Sequence, residues 1–297
     1  MRKFLTSLLS FLFLCLFFFL LLEDTPLLSF SKKNTSSSNL EIYYLDVGEA
    51  DSTLIRYQDH AILIDAGNKL DGEKLSHYFQ ELGITHFDLV VATHPHEDHI
   101  GGMAQIVHDF SISSFYMTNI STNFASYTNL IKELNQKNIF FETPLIDSSF
   151  SISDLTFTVL SIGDDSTNIN DSSIVLKLDF YDTHYLFMSD VSSEVEYSIL
   201  NKNIKSDVLK VGHHGSNKSS SANFIYQVHP EYAIISCGEN NDYYHPHQVV
   251  LDKLNRISSK IYRTDIDHTI HLVSNGNMIS IEKIETDTNG GDLEVDS

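Results

Sequence analysis

Three histidines and two acids crowd into six residues, His94-Pro95-His96-Glu97-Asp98-His99. Imidazoles and carboxylates at that density are a donor set for zinc, manganese or iron. The run follows the apolar residues 87–93 and precedes Gly101-Gly102 and a helical pattern, so it stands where a strand gives way to a helix. Alternate side chains of extended backbone share a side, which lets His94 and His96 converge on one ion. Asp98 and His99 come after the chain turns and face a second ion beside the first. Asp190 follows the apolar residues 185–188. Its two oxygens suit a bridge between cations, and its position before a helical stretch also suits an N-cap. His213 and His214 come straight after the strand pattern at 207–211. One of them is a further ligand: His213 is favoured, with His214 its neighbour or a proton donor. The expected cofactor is two divalent ions per chain, zinc or manganese.

Other residues would serve that centre. Asp46, Asp51 and Asp65 stand at strand ends and are expected to orient the ligand histidines or their loop. Ser216, Ser219 and Ser220 precede a helical stretch whose N-terminus suits phosphate oxygens; Ser216 and Ser220 are the expected substrate contacts. Asp98 would hold the nucleophile, and His214 or His245 would protonate the leaving oxygen. No Ser-His-Asp triad, P-loop or dinucleotide fingerprint is legible.

These groups need a scaffold, and the composition allows one. The chain has 297 residues, 42% of them apolar, enough for a sizeable core. Lys and Arg number 19 against 40 Asp and Glu, a net charge of −21. That excess disfavours a general nucleic-acid binder, whose affinity comes from neutralising phosphates, but not an enzyme that meets a phosphodiester through a metal. Two cysteines, Cys15 and Cys237, exclude a disulfide scaffold and a cysteine zinc finger. Arg2 and Lys3 precede an apolar run over residues 4–22. At ~1.5 Å per residue, a helix of that length nearly spans a bilayer core of ~30 Å. The basic flank should stay cytoplasmic. Residues 1–24 therefore read as an uncleaved signal-anchor in the cell membrane, with the rest of the chain extracellular; cleavage and secretion is the alternative. Residues 25–39 read as a Ser-rich linker, 40–284 as the folded domain and 285–297 as an acidic flexible tail.

Within the folded part, strand patterns occur at 41–47, 52–57, 60–65 and 87–93, then at 155–162, 173–180, 185–188, 207–211, 232–236 and 260–263, with a last hairpin over 269–282. Helical spacing covers 75–82, 100–110, 123–136, 194–200, 221–228 and 248–258. Strands and then mixed strands and helices, twice over, predict an α/β fold of two packed sheets with helices outside.

The motifs resemble a known family. HxHxDH after a buried strand is similar to the metallo-β-lactamase superfamily. Leu45-Asp46-Val47-Gly48-Glu49-Ala50-Asp51-Ser52 resembles the LDVGQGDS opening of the extracellular hydrolase domain in ComEC-type competence proteins, with Glu49 and Ala50 in place of Gln and Gly. Ile64-Asp65-Ala66-Gly67 is similar to its IDAG, Ser189-Asp190 to its GD, and His245-Pro246-His247 to its late HPH; Leu209 to Ser216 matches LKVGHHGS closely. The resemblance implies the metallo-β-lactamase fold, an αββα sandwich of two mixed sheets with the metals at the strand edge. Many superfamily members carry another metal-binding His before the bridging Asp. This chain has none between His108 and His184, so Asn168, Asn170 and Asp171 are the oxygen donors in that gap, and the first ion is expected to be held more weakly. The implied function is a membrane-anchored extracellular phosphodiesterase or nuclease acting on DNA or a cell-wall polymer. A teichoic-acid phosphorylcholine esterase and a non-catalytic metal-binding interaction module are the alternatives.

Overall fold

The computed structural model describes residues 39–163 and 168–284. The predicted anchor, nearly all of the linker and the acidic tail lie outside them. Among the described residues no helix is long and apolar enough to cross a membrane.

The chain first lays down β1 (Leu40–Tyr44), β2 (Thr53–Tyr57), β3 (His60–Ile64), β4 (His86–Ala92), β5 (Ser111–Met117) and β6 (Phe141–Glu142). It then builds a second sheet from β7 (Ser149–Ile152), β8 (Leu155–Ser161), β9 (Val175–Phe180), β10 (Thr183–Phe187), β11 (Val208–Lys210), β12 (Tyr232–Ile235) and β13 (Lys260–Arg263). Finally β14 (Thr269–Ser274) and β15 (Ile279–Ile284) return to the first sheet, β14 pairing antiparallel with β1. The sheet orders are β15-β14-β1-β2-β3-β4-β5-β6 and β13-β12-β11-β10-β9-β8-β7. Both are mixed: β3, β4 and β5 run parallel, as do β10 to β13.

Strand periodicity sorts the side chains into three layers. Leu40, Ile42 and Tyr44 of β1, Leu89 and Val91 of β4, and Tyr185 and Phe187 of β10 fill the core between the sheets. Their neighbours Tyr43, Val90 and Ala92 face outward onto α1 (Asp71–Glu81), α3 (Met103–Asp109) and α4 (Ala125–Lys137) through Leu75, Phe79, Ile106 and Leu130. Behind the second sheet, Leu186 and Leu209 pack on α5 (Ser193–Ile199), α6 (Ala222–Val228) and α7 (Gln248–Arg256). A sheet covered on both faces explains the unbroken apolar runs of β4 and β10. The predicted sandwich of two sheets with outer helices is the observed architecture.

Two local readings are corrected. The single helical face expected over residues 100–110 is two helices, α2 (Glu97–Ile100) and α3, parted at Gly101-Gly102. A Cβ at Gly101 would lie 2.4 Å from the Lys69 nitrogen, and one at Gly102 would lie 2.3 Å from the Ala66 carbonyl oxygen. The loop after β3 thus rests directly on these glycines, and Ala66 N–H bonds the His99 carbonyl at 2.7 Å. Strands β5, β6 and β7 were not expected. Serine-rich SISSFYM has weak strand propensity, and β5 forms because it pairs in parallel with the buried β4 and seals Phe115 and Met117.

Candidate metal centre

The donors gather where the two sheets meet, at one end of their strands. Asp65 follows β3, His94 to His99 follow β4, Asp190 follows β10, and His213 and His214 follow β11. Asp51 precedes β2, which is antiparallel to β3, so it reaches the same end. Backbone bonds fix these loops to one another: Asp51 N–H to the Asp98 carbonyl at 3.0 Å and His213 N–H to the Ser189 carbonyl at 2.8 Å. His213 and His214 take left-handed backbone at φ 50° and 52°. Non-glycine residues hold that conformation only where surroundings enforce it.

One donor atom each from Asp51, His99, Asp190 and His214 lies within 4.8 Å of the others, and all four residues are buried. His99 Nε2 is 3.4 Å from Asp190 Oδ1; the Nε2 atoms of His213 and His214 are each 3.7 Å from Asp190 Oδ2. Asp98 Oδ2 is 3.4 Å from His214 Nε2. On the other flank, His94 Nε2 and His96 Nδ1 converge to 3.1 Å. His99 Nε2, His214 Nε2 and Asp190 Oδ1 are buried without a hydrogen bond. Buried polar atoms left without partners in this way are costly unless something else fills the space between them, and a divalent cation that displaces the imidazole protons fits it.

The imidazoles are held from behind. Asp65 Oδ2 accepts from His99 Nδ1 at 2.8 Å and from Thr93 Oγ1 at 2.7 Å, and its Oδ1 accepts from Thr93 N–H at 2.9 Å. His214 Nδ1 donates to the Ser236 carbonyl at 3.0 Å. Each bond keeps a proton on Nδ1 and turns the Nε2 lone pair inward, as metal-binding histidines require.

Charge divides the histidines into two groups. Burial pushes His94 well below the usual imidazole range, and it lowers His96 and His213 as well. These three are neutral and ready to donate. Burial is the largest influence on His99 and His214 and works against the charged form, but Asp190 and the neighbouring acids together outweigh it. Asp65 and Asp98 add to the effect on His99, and Asp98 and Asp51 to that on His214. His99 is held well above the usual range and His214 is raised to about 9. Burial likewise opposes ionisation of Asp190, yet His99 and His214 hold its carboxyl well below the usual carboxylate range.

The sign of the resulting pH dependence follows. Protonated His214 stabilises the metal-free fold fully below its unfolded pKa of ~6.5. That contribution is lost as pH rises toward about 9. A cation must displace the same proton, so its affinity climbs over the same window, by about tenfold per pH unit for each proton released. Thermal melts of metal-free and zinc-loaded protein at pH 6, 7.5 and 9 should show a gap that widens with pH.

The structure places several of the expected residues differently. The sequence favoured His213 as ligand, but His214 is the one in the buried cluster, and His213 stands at its rim beside Asp190. Asp51, expected behind the ligands, is itself in the donor set, with Lys210 Nζ 2.7 Å from its Oδ1. Asp46 touches none of the ligand histidines: its Oδ1 accepts from Gly48 N–H, and its Oδ2 lies 3.5 Å from His268. Ser216 and Ser220 do not line the cavity and are buried within their own loop. The Glu196 carboxylate takes the amides of Ser220 and Ser221. Those N–H groups are therefore not available to a phosphate. Of the three oxygen donors named for the gap, Asn170 lines the cavity with a bare Oδ1, while Asp171 caps Ser192 N–H and Asn168 bonds Asp171.

Lys210 and Glu49 were missed. Lys210 had a legible signal: a lysine inside the apolar strand Val208-Leu209-Lys210-Val211 needs a buried anion. Glu49 had none, because its partner His245 is 196 residues away.

The cavity over the centre has a volume of about 480 Å³. Among the described residues its wall carries the acids Glu49, Glu97, Asp98 and Asp190 and no Lys or Arg, with Phe124 and Tyr243 among its aromatic side chains.

Comparison with known proteins agrees with this geometry. A family model described as the Metallo-beta-lactamase superfamily matches residues 45–239. ComE operon protein 3 of Bacillus subtilis is 33% identical over 255 residues, covering 79% of this chain and 33% of its own. Recombination protein 2 of Haemophilus influenzae is 26% identical over 280 residues, covering 92% of this chain and 33% of its own. The chain thus spans a third of the length of either relative. Among solved structures, the metallo-beta-lactamase fold protein YhfI from Bacillus subtilis superposes with a TM-score of 0.55 at 11% identity, over 76% of this chain and 96% of that one.

Proposed function

The chain belongs to the metallo-beta-lactamase superfamily, and from that premise we propose that it hydrolyses phosphodiester bonds with divalent cations held between its two sheets. We place the reaction on the outer side of the cell membrane, with residues 4–22 as the anchor. The observation that carries the reading is the set of bare, buried donor atoms around Asp190. Similarity to Recombination protein 2 supports a phosphodiester as the bond attacked, with DNA the polymer we propose.

Bound there, a divalent cation would supply Lewis-acid activation of water and neutralise charge developing on the phosphoryl oxygens. Asp190, His99 and His214 would hold it, with His94 and His96 converging beside them as further donors. Asp98, one third exposed to the cavity, orients the attacking water and receives its proton. His245 faces the same cavity and gives a proton to the leaving oxygen.

A cell-wall phosphorylcholine esterase is the second reading, and one observation favours it. A wall with acids, aromatic rings and no Lys or Arg suits a quaternary ammonium group better than a long polyanion.

The test is hydrolysis of bis(p-nitrophenyl) phosphate, single-stranded DNA and p-nitrophenyl phosphorylcholine by the full chain, stripped of metal and then given manganese or zinc. Metal-restored turnover is expected, with Asp98→Ala at least about a hundredfold slower. Absence of turnover on all three by folded, metal-loaded protein would overturn the reading and favour a metal-binding module.

A further inference from the structure

Outside the cation donors, one ion pair faces the cavity. Glu49 Oε1 lies 2.7 Å from His245 Nδ1, with side chains only 16% and 6% exposed. The other oxygen, Oε2, accepts from Gly238 N–H at 2.8 Å. The two loops meet closely: a Cβ at Gly238 would fall 2.6 Å from the Glu49 nitrogen. Asn241 secures the rest of the His245 loop, its Oδ1 accepting from His245 N–H at 2.9 Å and its Nδ2 donating to the His245 carbonyl at 2.7 Å. The Tyr243 ring stacks on the His245 ring at 5.5 Å and 18°. His245 is therefore fixed in position, and Glu49 is fixed against it.

We infer that Glu49 is a positioning residue that keeps a proton on Nδ1 of His245, so that Nε2 alone exchanges a proton with the cavity. A carboxylate has no hydrogen to give, so Nδ1 must be the donor of their bond. Nδ1 is thereby engaged, and Nε2 is the nitrogen left to the cavity that the ring lines. With the Nδ1 proton held by Glu49, a second proton on the ring can only sit on Nε2. In the proposed reaction the bond from phosphorus to the leaving oxygen breaks with its electron pair going to that oxygen. The Nε2 proton moves there and leaves neutral His245 with its Nδ1 proton in place. Water supplies the oxygen of the new bond to phosphorus, and its displaced proton goes to Asp98 and then to solvent, from which Nε2 is reprotonated.

The residue type at position 49 decides this. A glutamine there must turn its oxygen to Gly238 N–H and its NH2 to His245 Nδ1. Nδ1 then becomes an acceptor, and the neutral ring carries its proton on Nε2. Release of that proton would leave an imidazolate, so donation stops.

The proton-donor part rests on the phosphodiesterase reading; the tautomer does not. The experiment has an arm for each, on the full chain loaded with zinc. Ring nitrogen shifts of His245, assigned by comparison with H245Q, should show a protonated Nδ1 in the unmodified protein and a protonated Nε2 in E49Q. Turnover of a dinucleotide, which expels a poor alkoxide, should fall about a hundredfold in E49Q. Turnover of bis(p-nitrophenyl) phosphate, whose leaving group needs no proton, should fall less than threefold. E49Q should add nothing in the H245Q background. The same tautomer in both proteins, or equal losses on both substrates, overturns the inference. If the unmodified chain hydrolyses neither substrate, the phosphodiesterase reading fails and the nitrogen shifts still decide what Glu49 does.

Discussion

Asp190→Asn is expected to hydrolyse phosphodiesters about a thousandfold more slowly than the unmodified chain and to retain less metal after dialysis. Asparagine keeps the shape, so the packing just past β10 survives. What disappears is the charge that faces three imidazoles at 3.4–3.7 Å. Asp190 is the carboxylate whose atoms approach His99, His213 and His214 together, and its Oδ1 has no hydrogen bond to lose. The loss falls on cation affinity and, in the metal-free protein, on the charged His99 and His214 that face Asp190. Elemental analysis of dialysed protein, alongside the rate at saturating manganese, separates the two contributions. A variant within tenfold of normal turnover would remove Asp190 from the centre.

Lys210→Met should act most strongly on the metal-free protein. Lys210 and Asp51 form a salt bridge with side chains 4% and 7% exposed. Lys210, with His214 and His99, holds Asp51 ionised below the usual carboxylate range although burial opposes it. Methionine fills the space but leaves Asp51 uncompensated beside Asp190. Stranding a buried charge costs about 3–5 kcal/mol. In a domain of this size that is a fall in Tm of roughly 6–20 °C. A cation in the cluster supplies the missing positive charge, so zinc should recover more stability in the variant than in the unmodified chain. Asp51→Asn added to Lys210→Met should return most of the metal-free loss. Equal zinc-induced shifts in both proteins would show that Asp51 does not feel the ion.

The sequence was most informative where chemistry and strand pattern coincide. Apolar β4 running into His94-Pro95-His96-Glu97-Asp98-His99 announces both a buried strand and a metal loop, because each signal is local. Strand β5 was opaque because serines contribute no pattern, and only its pairing with β4 makes it a strand. The choice between His213 and His214 was beyond any spacing argument. The fold puts His214 in the buried cluster, with its Nδ1 on the carbonyl of Ser236 just past another strand, and leaves His213 at the rim. Ser216 and Ser220 looked like phosphate ligands because hydroxyls before a helix usually are accessible. The buried Glu196, arriving from α5, takes the adjacent amides first. Partners such as Glu49 and His245 are joined by the fold alone, and one sequence carries no trace of that pairing.

The union of β1 with β14 ties residue 40 to residue 274. It sets an order of events for a chain made from its N-terminus. The last candidate ligand, His214, emerges well before Thr269–Ser274, so the cation donors are complete while the first sheet still has an open side. Until the closing hairpin arrives, β1 offers an unpaired backbone edge with Leu40, Ile42 and Tyr44 alongside it. Such long-range closure is slow. During synthesis the nascent protein thus completes its candidate cation donors before it is able to resist sticking to its neighbours. A chain cut short after residue 263 would keep every ligand and still aggregate.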